Sequence, residues 1–330
     1  MKRPRLTPRA ARRAYLVALV ALCLIVLTGA AVRLTQSGLG CPDWPTCTAH
    51  RLVAAWQYHA AIEFGNRVVT VAVTLAVLAA LGAAWLQVPR RADLLWLSAG
   101  TVAGVVAQAV LGGITVLAKL SPPWVMAHFL LSMAVVAVGA ALVDRSRRPA
   151  GRRQPVVTGR LLMTSRAMVA LSAVVLGLGT VVTGSGPHSG GVDVARLPLP
   201  ARDAAELHST AVVLLVGLTL GVLLLLRPAG APAAVEARGR VLLYVMVAQG
   251  AVGYTQYLTG VPAALVEIHV AGALAVWLAV LRFHWSLRRT PTGGDEPAPS
   301  VASASDPVVA SAEQVVAALG GAPAQAGAPS

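Results

Sequence analysis

The sequence predicts an all-α polytopic membrane protein whose eight transmembrane helices fall into two pseudo-repeated four-helix bundles. Three observations predict it. Of 330 residues, 56% are hydrophobic and only 12% charged, about half the charged share of an ordinary soluble domain. The apolar residues gather in runs near the roughly 20 residues a helix needs to cross hydrocarbon. Residues of the second half also match residues of the first at a fixed offset.

The elements follow in order. Lys2, Arg3, Arg5, Arg9, Arg12 and Arg13 make residues 1–13 a basic N-terminal arm. The run after it, 14–34, has the layout of a secretory signal. It is long, lacks a small-residue cleavage site and is followed by many similar runs, so it is predicted to be the first span. Further spans are predicted over 62–86, 94–117, 123–143, 164–184, 206–226, 240–258 and 263–283. Barrel-type alternation is absent, and stretches such as Ala211–Leu226 are nearly continuous in Leu, Ala and Val. Backbone polar groups in lipid must be satisfied internally, which leaves helices as the spanning element. Residues 14–143 then form the first four-helix half, 144–163 a basic linker and 164–283 the second half. The stretch 284–330 turns rich in Pro, Gly, Ala and Ser after Arg289, the composition of a disordered tail.

Charge sets the orientation. With the N-terminus inside, the inner segments hold Arg90, Arg91, Arg145, Arg147, Arg148, Arg152, Arg153, Arg160, Arg227, Arg238, Arg240, Arg282, Arg288 and Arg289. Arg166 at the inner edge of span five can snorkel. The outer segments hold only Arg33, Arg51, Lys119, Arg196 and Arg202. An odd number of spans would spoil this pattern. The expectation is a multi-pass plasma-membrane protein with both termini cytoplasmic. The formal charge of +14 resides in these flanking loops and the arm, which assigns it to topology and anionic headgroups rather than nucleic acid.

Cys23 lies within the first span as a small apolar filler. Cys41 and Cys47 lie in GLGCPDWPTC on the outer side, where a disulfide closing a small loop is favoured over two free thiols. No second close ligand pair accompanies them, which argues against a metal site.

The repeat is carried by polar residues. Gln108 and Gln249 lie 141 residues apart, as do Gly112 and Gly253, Leu117 and Leu258, and His128 and His269. Thr35–Gly38 (TQSG) echoes Thr183–Gly186 (TGSG). Both halves begin inside, so they are related as parallel repeats.

Histidines carry the functional expectation. His128, His208 and His269 each fall within about 10 Å of the outer boundary of their spans at 1.5 Å per residue. An ionisable group at that depth needs a partner, a cavity or a cofactor. His208 and His269 stand on alternate helices of the second half, so they can clamp one heme iron from opposite faces. Interhelical hydrogen bonding is the blander alternative. In the first half, Asn66 lies 142 residues before His208 and holds its repeat position. His59 lies seven residues earlier, about 10 Å further out on a similar face. Glu63 and Arg67 are spaced i,i+4, which by itself gives a local ion pair of a few tenths of a kcal/mol. Beside a membrane site, Glu63 could move protons and Arg67 could pair with a heme propionate. His50, His188 and His284 read as ordinary loop or boundary residues.

These residues carry a resemblance. TQSGLGCPDWPTC, IEFGNR, AQAVLGGITVLAKLSPPWVMAHF, TGSGPHSG, LHST and the final EIH make residues 14–283 resemble the heme A synthase family. The resemblance implies eight helices in two related halves, and oxidation of the C8 methyl of heme O to the formyl of heme A. It implies heme b as cofactor, with His208 and His269 on its iron. It places His128 on the substrate iron, Glu63 as the essential acid and Cys41–Cys47 as a loop disulfide. It also implies heme O synthase and the cytochrome oxidase assembly machinery as neighbours, alongside a membrane electron donor or acceptor and room for a homo-oligomer. One family histidine is missing. The Glu-x-x-His-Arg pattern reads Glu63-Phe64-Gly65-Asn66-Arg67 here, leaving His128 alone on the substrate iron, or with His59 in an auxiliary role. The rival readings are a bis-heme electron carrier and a small-molecule transporter.

Overall fold

The computed structural model describes residues 5–50, 53, 56–191 and 193–290. The chain divides into two compact units, Met1–Thr290 and Pro291–Ser330; the second lies outside the described residues. The tail expected over 284–330 starts later than composition suggested, because residues 284–286 complete α8 and 288–289 form a strand; the remainder of that stretch, 291–330, lies outside the described residues. The first unit is built from α1 (Pro8–Leu34), α2 (Tyr58–Leu86), α3 (Ala92–Leu117), α4 (Pro122–Ser146), α5 (Gly159–Ser185), α6 (Ala201–Leu226), α7 (Ala233–Leu258) and α8 (Ala263–Ser286). The helix starts have local causes. Thr7 caps α1 by accepting from Ala10 N at 3.3 Å, with Pro8 in the first turn. Thr158 caps α5 by accepting from Leu161 N at 3.5 Å. Pro200, Pro232 and Pro262 precede α6, α7 and α8, where a missing N–H is no loss and a fixed φ favours entry.

Seven of these helices are long and apolar enough to cross a membrane, α7 being the exception. Its first turns carry Glu236, Arg238 and Arg240, and its far end Gln249, Tyr254, Gln256 and Tyr257. The chain is therefore a multi-pass membrane protein. Large apolar side chains such as Val17, Leu24, Leu75, Val213, Leu224 and Val241 point outward, a surface that lipid covers at no cost.

Within the first half α1 packs on α2 and α4, and α3 on α4 and α2; within the second α5 packs on α6 and α8, and α7 on α8 and α6. The halves meet through α1, α4, α5 and α8. Leu274, Trp277 and Leu281 of α8 enter the apolar core of the first half, and Trp277 Nε1 donates to Met133 O at 3.0 Å. At the end carrying the histidines, Arg33 donates to Thr183 O at 2.7 Å and Gly38 N to Gly190 O at 3.1 Å. The loop segments around TQSG and TGSG are thus stitched together. At the opposite end, β1 (Gln154–Pro155) pairs antiparallel with β2 (Arg288–Arg289). Arg153 donates there to Trp285 O at 2.6 Å, and burial together with Arg148 lowers its guanidinium below the ordinary arginine value.

Candidate functional site

His208 sits in the second turn of α6 and His269 in the second turn of α8. Their rings meet edge to face with centroids 6.4 Å apart and planes at 68°. A metal lies about 2 Å from a ligating imidazole nitrogen, and that nitrogen about 1.1 Å from its ring centroid. Two axial imidazoles on one iron therefore place their centroids about 6 Å apart, which is the observed spacing. At His208 the tautomer fits as well; at His269 the ring Nδ1 faces Gln249 Nε2, a donor, at 3.0 Å. Val175 O can only accept, so His208 must donate its Nδ1–H to it, at 3.1 Å. That leaves Nε2 with the lone pair, as iron requires. No group of three or more His, Cys, Asp or Glu that could hold a bare metal ion occurs among the described residues. Two imidazoles suit a macrocycle that supplies the remaining ligands.

Glycines make room for each ring. A Cβ on Gly179 of α5 would stand 3.3 Å from His208 Cε1, and one on Gly253 of α7 3.1 Å from His269 Cε1. In the first half, a Cβ on Gly112 of α3 would stand 3.2 Å from His128 Cε1. The repeat thus preserves the glycine with the histidine it backs.

The first half has one imidazole at this level. His128 on α4 keeps its Nδ1 buried without a partner. Asn66 on α2 accepts from Thr28 Oγ1 at 2.8 Å, which ties it to α1. His59 is exposed in the first turn of α2 and has its Nδ1 3.0 Å from Ser37 Oγ, so it belongs with the loop between α1 and α2.

Above this half lies the loop closed by the Cys41–Cys47 disulfide, S–S 2.02 Å. Glu63 and Arg67 hold it. Glu63 accepts from Cys41 N at 2.7 Å and from Arg67 at 2.7 Å. The Arg67 guanidinium also donates to the carbonyls of Cys41, Asp43 and Thr46 at 2.9–3.0 Å and of Pro45 at 3.4 Å. The i,i+4 pair is therefore no surface ion pair, since the Glu63 side chain is 7% exposed. The Arg67 donors turn to loop carbonyls instead of outward. Trp44 of the loop lies over α3, where a Cβ on Gly113 would stand 2.7 Å from its ring. The loop thus roofs α3 one residue from the glycine that backs His128.

Sequence reasoning missed the Arg67 clamp, Thr28 and the Trp44 roof. Bonds to backbone carbonyls leave no pattern in side-chain types. The adjacent Gly112 and Gly113 were the available signal, since two faces of one helix turn are kept bare.

The family model for COX15-CtaA, cytochrome oxidase assembly protein, matches residues 12–59 and 53–189. The heme A synthase of Symbiobacterium thermophilum is 33% identical over 227 residues, 63% of this chain and 74% of that protein. The heme A synthase of Geobacillus kaustophilus is 32% identical over 130 residues, 38% of this chain and 40% of its own length. That of Shewanella oneidensis is 27% identical over 213 residues, 59% and 62% of the two chains.

Proposed function

Because this chain belongs to the COX15-CtaA family of cytochrome oxidase assembly proteins, we propose that it is a membrane oxidoreductase converting heme O to heme A. The observation that carries the reading is the opposed pair His208 and His269, set at the spacing of two axial ligands. All eight helices span the plasma membrane with both termini cytoplasmic, and the two four-helix halves each hold one porphyrin. The second half holds heme b through His208 and His269; the first receives heme O at His128. Heme b, when bound, supplies one-electron chemistry.

The remaining roles belong to the protein. His128 orients the substrate porphyrin, and the disulfide loop with Trp44 roofs the site against water. Asn66 stands where the family has a histidine, is bonded to Thr28 and leaves the substrate iron one axial ligand from the protein. Glu63 offers a carboxylate beside this site to receive protons, kept in place by Cys41 N and Arg67. Arg67 serves the site by fixing the loop. His59 shapes the loop through Ser37. Oxidation of methyl to formyl takes up one water and releases four protons and four electrons, which leave through a membrane electron acceptor. Heme O synthase supplies the substrate, and the oxidase assembly machinery receives the product.

The test is expression in membranes containing heme O, followed by pigment extraction and chromatography. Formyl heme, with hydroxylated heme as its precursor, is the expected outcome. Intact, heme-loaded protein that yields neither with a competent electron system would refute the enzyme and leave the electron carrier.

A further inference from the structure

A cavity of about 760 Å³ lies at the end of the bundle opposite the histidines. That size suits a small molecule rather than a bare ion. Both halves line it, through Ala141, Asp144 and Arg145 of α4 and Trp285 of α8. Arg152 and Arg153 of the linker and Arg288 of β2 add to its walls.

The charges around this cavity do not balance. Asp144 is the one carboxylate among the described residues that line it, against Arg145, Arg152, Arg153 and Arg288. It is already shared, since Arg148 donates to its Oδ1 at 2.7 Å and Arg153 lies 3.5 Å from its Oδ2. Arg145 stands 3.9 Å from Asp93, which Arg91 already holds at 2.7 Å. Burial first, and then the charges of Arg148, Arg145 and Arg288, hold the Arg153 guanidinium below the ordinary arginine value, with Asp144 only partly opposing them.

Backbone bonds keep these cations together despite their repulsion. Arg153 donates to Trp285 O at 2.6 Å and Arg148 to Arg288 O at 3.3 Å, while Pro155 pairs with Arg288 across the two strands. The Arg153 side chain is 10% exposed. Its Nε and that of Arg288 are buried donors without a partner. Confined guanidinium groups with donors to spare match the oxygens of a phosphate. Trp96, 77% exposed, marks the headgroup layer at this end, and its neighbour Leu97 gives the cavity an apolar wall.

We propose that this cavity binds an anionic phosphate group, carried by a phospholipid headgroup, with Arg145, Arg152, Arg153 and Arg288 around it. Basic pockets between transmembrane helices take such headgroups. Arg145 belongs to α4 and Arg288 follows α8, so the bound phosphate braces one half against the other. Neither the cavity nor its arginines depend on the heme reading.

The experiment titrates delipidated full-length protein in neutral detergent with phosphatidylglycerol, phosphatidylcholine or inorganic phosphate at constant ionic strength, reading the thermal midpoint. Phosphatidylglycerol is expected to raise the midpoint saturably and phosphatidylcholine to leave it unchanged. Arg152→Gln/Arg288→Gln keeps the backbone bonds of both residues and is expected to bind phosphatidylglycerol about 30-fold more weakly. Arg9→Gln/Arg13→Gln removes two exposed charges of α1 and is expected to bind as wild type does. An affinity within about twofold of wild type in the cavity variant would overturn the proposal, as would equal shifts with both lipids or no shift with any probe. The same shift with inorganic phosphate and none with phosphatidylglycerol would overturn the lipid as carrier.

Discussion

Removing the Arg67 side chain is expected to open the disulfide loop. Its guanidinium joins Glu63 and four loop carbonyls, and its side chain is 23% exposed. Hydrogen bonds to charged groups contribute about 1.5–3 kcal/mol each when buried, and breaking one partner of a buried pair costs about 3–5 kcal/mol. Partial exposure and non-additivity reduce the sum, so Arg67→Ala is expected to cost the closed loop about 2–3 kcal/mol. Cys41 is 0% and Cys47 1% exposed, so a reductant reaches the disulfide only through local opening. At tenfold per 1.4 kcal/mol, the open population rises about 30–150-fold. The assay is the rate of disulfide reduction at fixed reductant, read by maleimide mass tagging. Arg67→Lys keeps a charge for Glu63 but loses the planar fork, and falls between. An Arg67→Ala rate within about threefold of wild type would show that the clamp does not hold the loop.

Three further outcomes follow from the geometry. Asn66→His restores an imidazole at the repeat position of His208, and with heme O present a second bis-imidazole signal is expected by electron paramagnetic resonance; an unchanged number of such signals would contradict the equivalence. Trp277→Phe removes the bond to Met133 O between the halves and is expected to lower stability by about 1–2 kcal/mol, read as a lower thermal midpoint in detergent, with no shift as the contrary result. Gly113→Ala pushes a methyl into the Trp44 ring and is expected to slow heme O turnover about tenfold while leaving the heme b spectrum intact; loss of that spectrum would place Trp44 elsewhere in the account.

The helices were legible because hydropathy and the membrane constraint leave few alternatives. Predicted spans 62–86, 94–117 and 206–226 end where α2, α3 and α6 end. The helix starts were less legible. The sequence placed spans five and seven at 164 and 240, whereas α5 and α7 begin at Gly159 and Ala233. Hydropathy reports only what lies in hydrocarbon, while backbone hydrogen bonding carries the helix past the boundary through Arg160, Glu236 and Arg238. Arg33 counted as an outer positive charge, yet its guanidinium joins the halves through Thr183 O. At the candidate site, the repeat pointed to His128 with His269 and Gln108 with Gln249, since rare polar residues at one offset stand out in an apolar chain. It could not show that Gln249 reaches the His269 ring while Gln108 reaches Ser132, because the two share one side-chain type and one offset. The contacts of Arg67 were hidden for a related reason, since its partners are carbonyls that every residue possesses.

The central claim is that imidazoles from α6 and α8 hold one porphyrin iron between them. Its most direct test is the low-spin heme spectrum of purified wild-type, His208→Ala and His269→Ala protein. A bis-imidazole signal in the wild type, absent from both variants while the helical fold persists, is the expected result. The same signal surviving in both variants would contradict the claim.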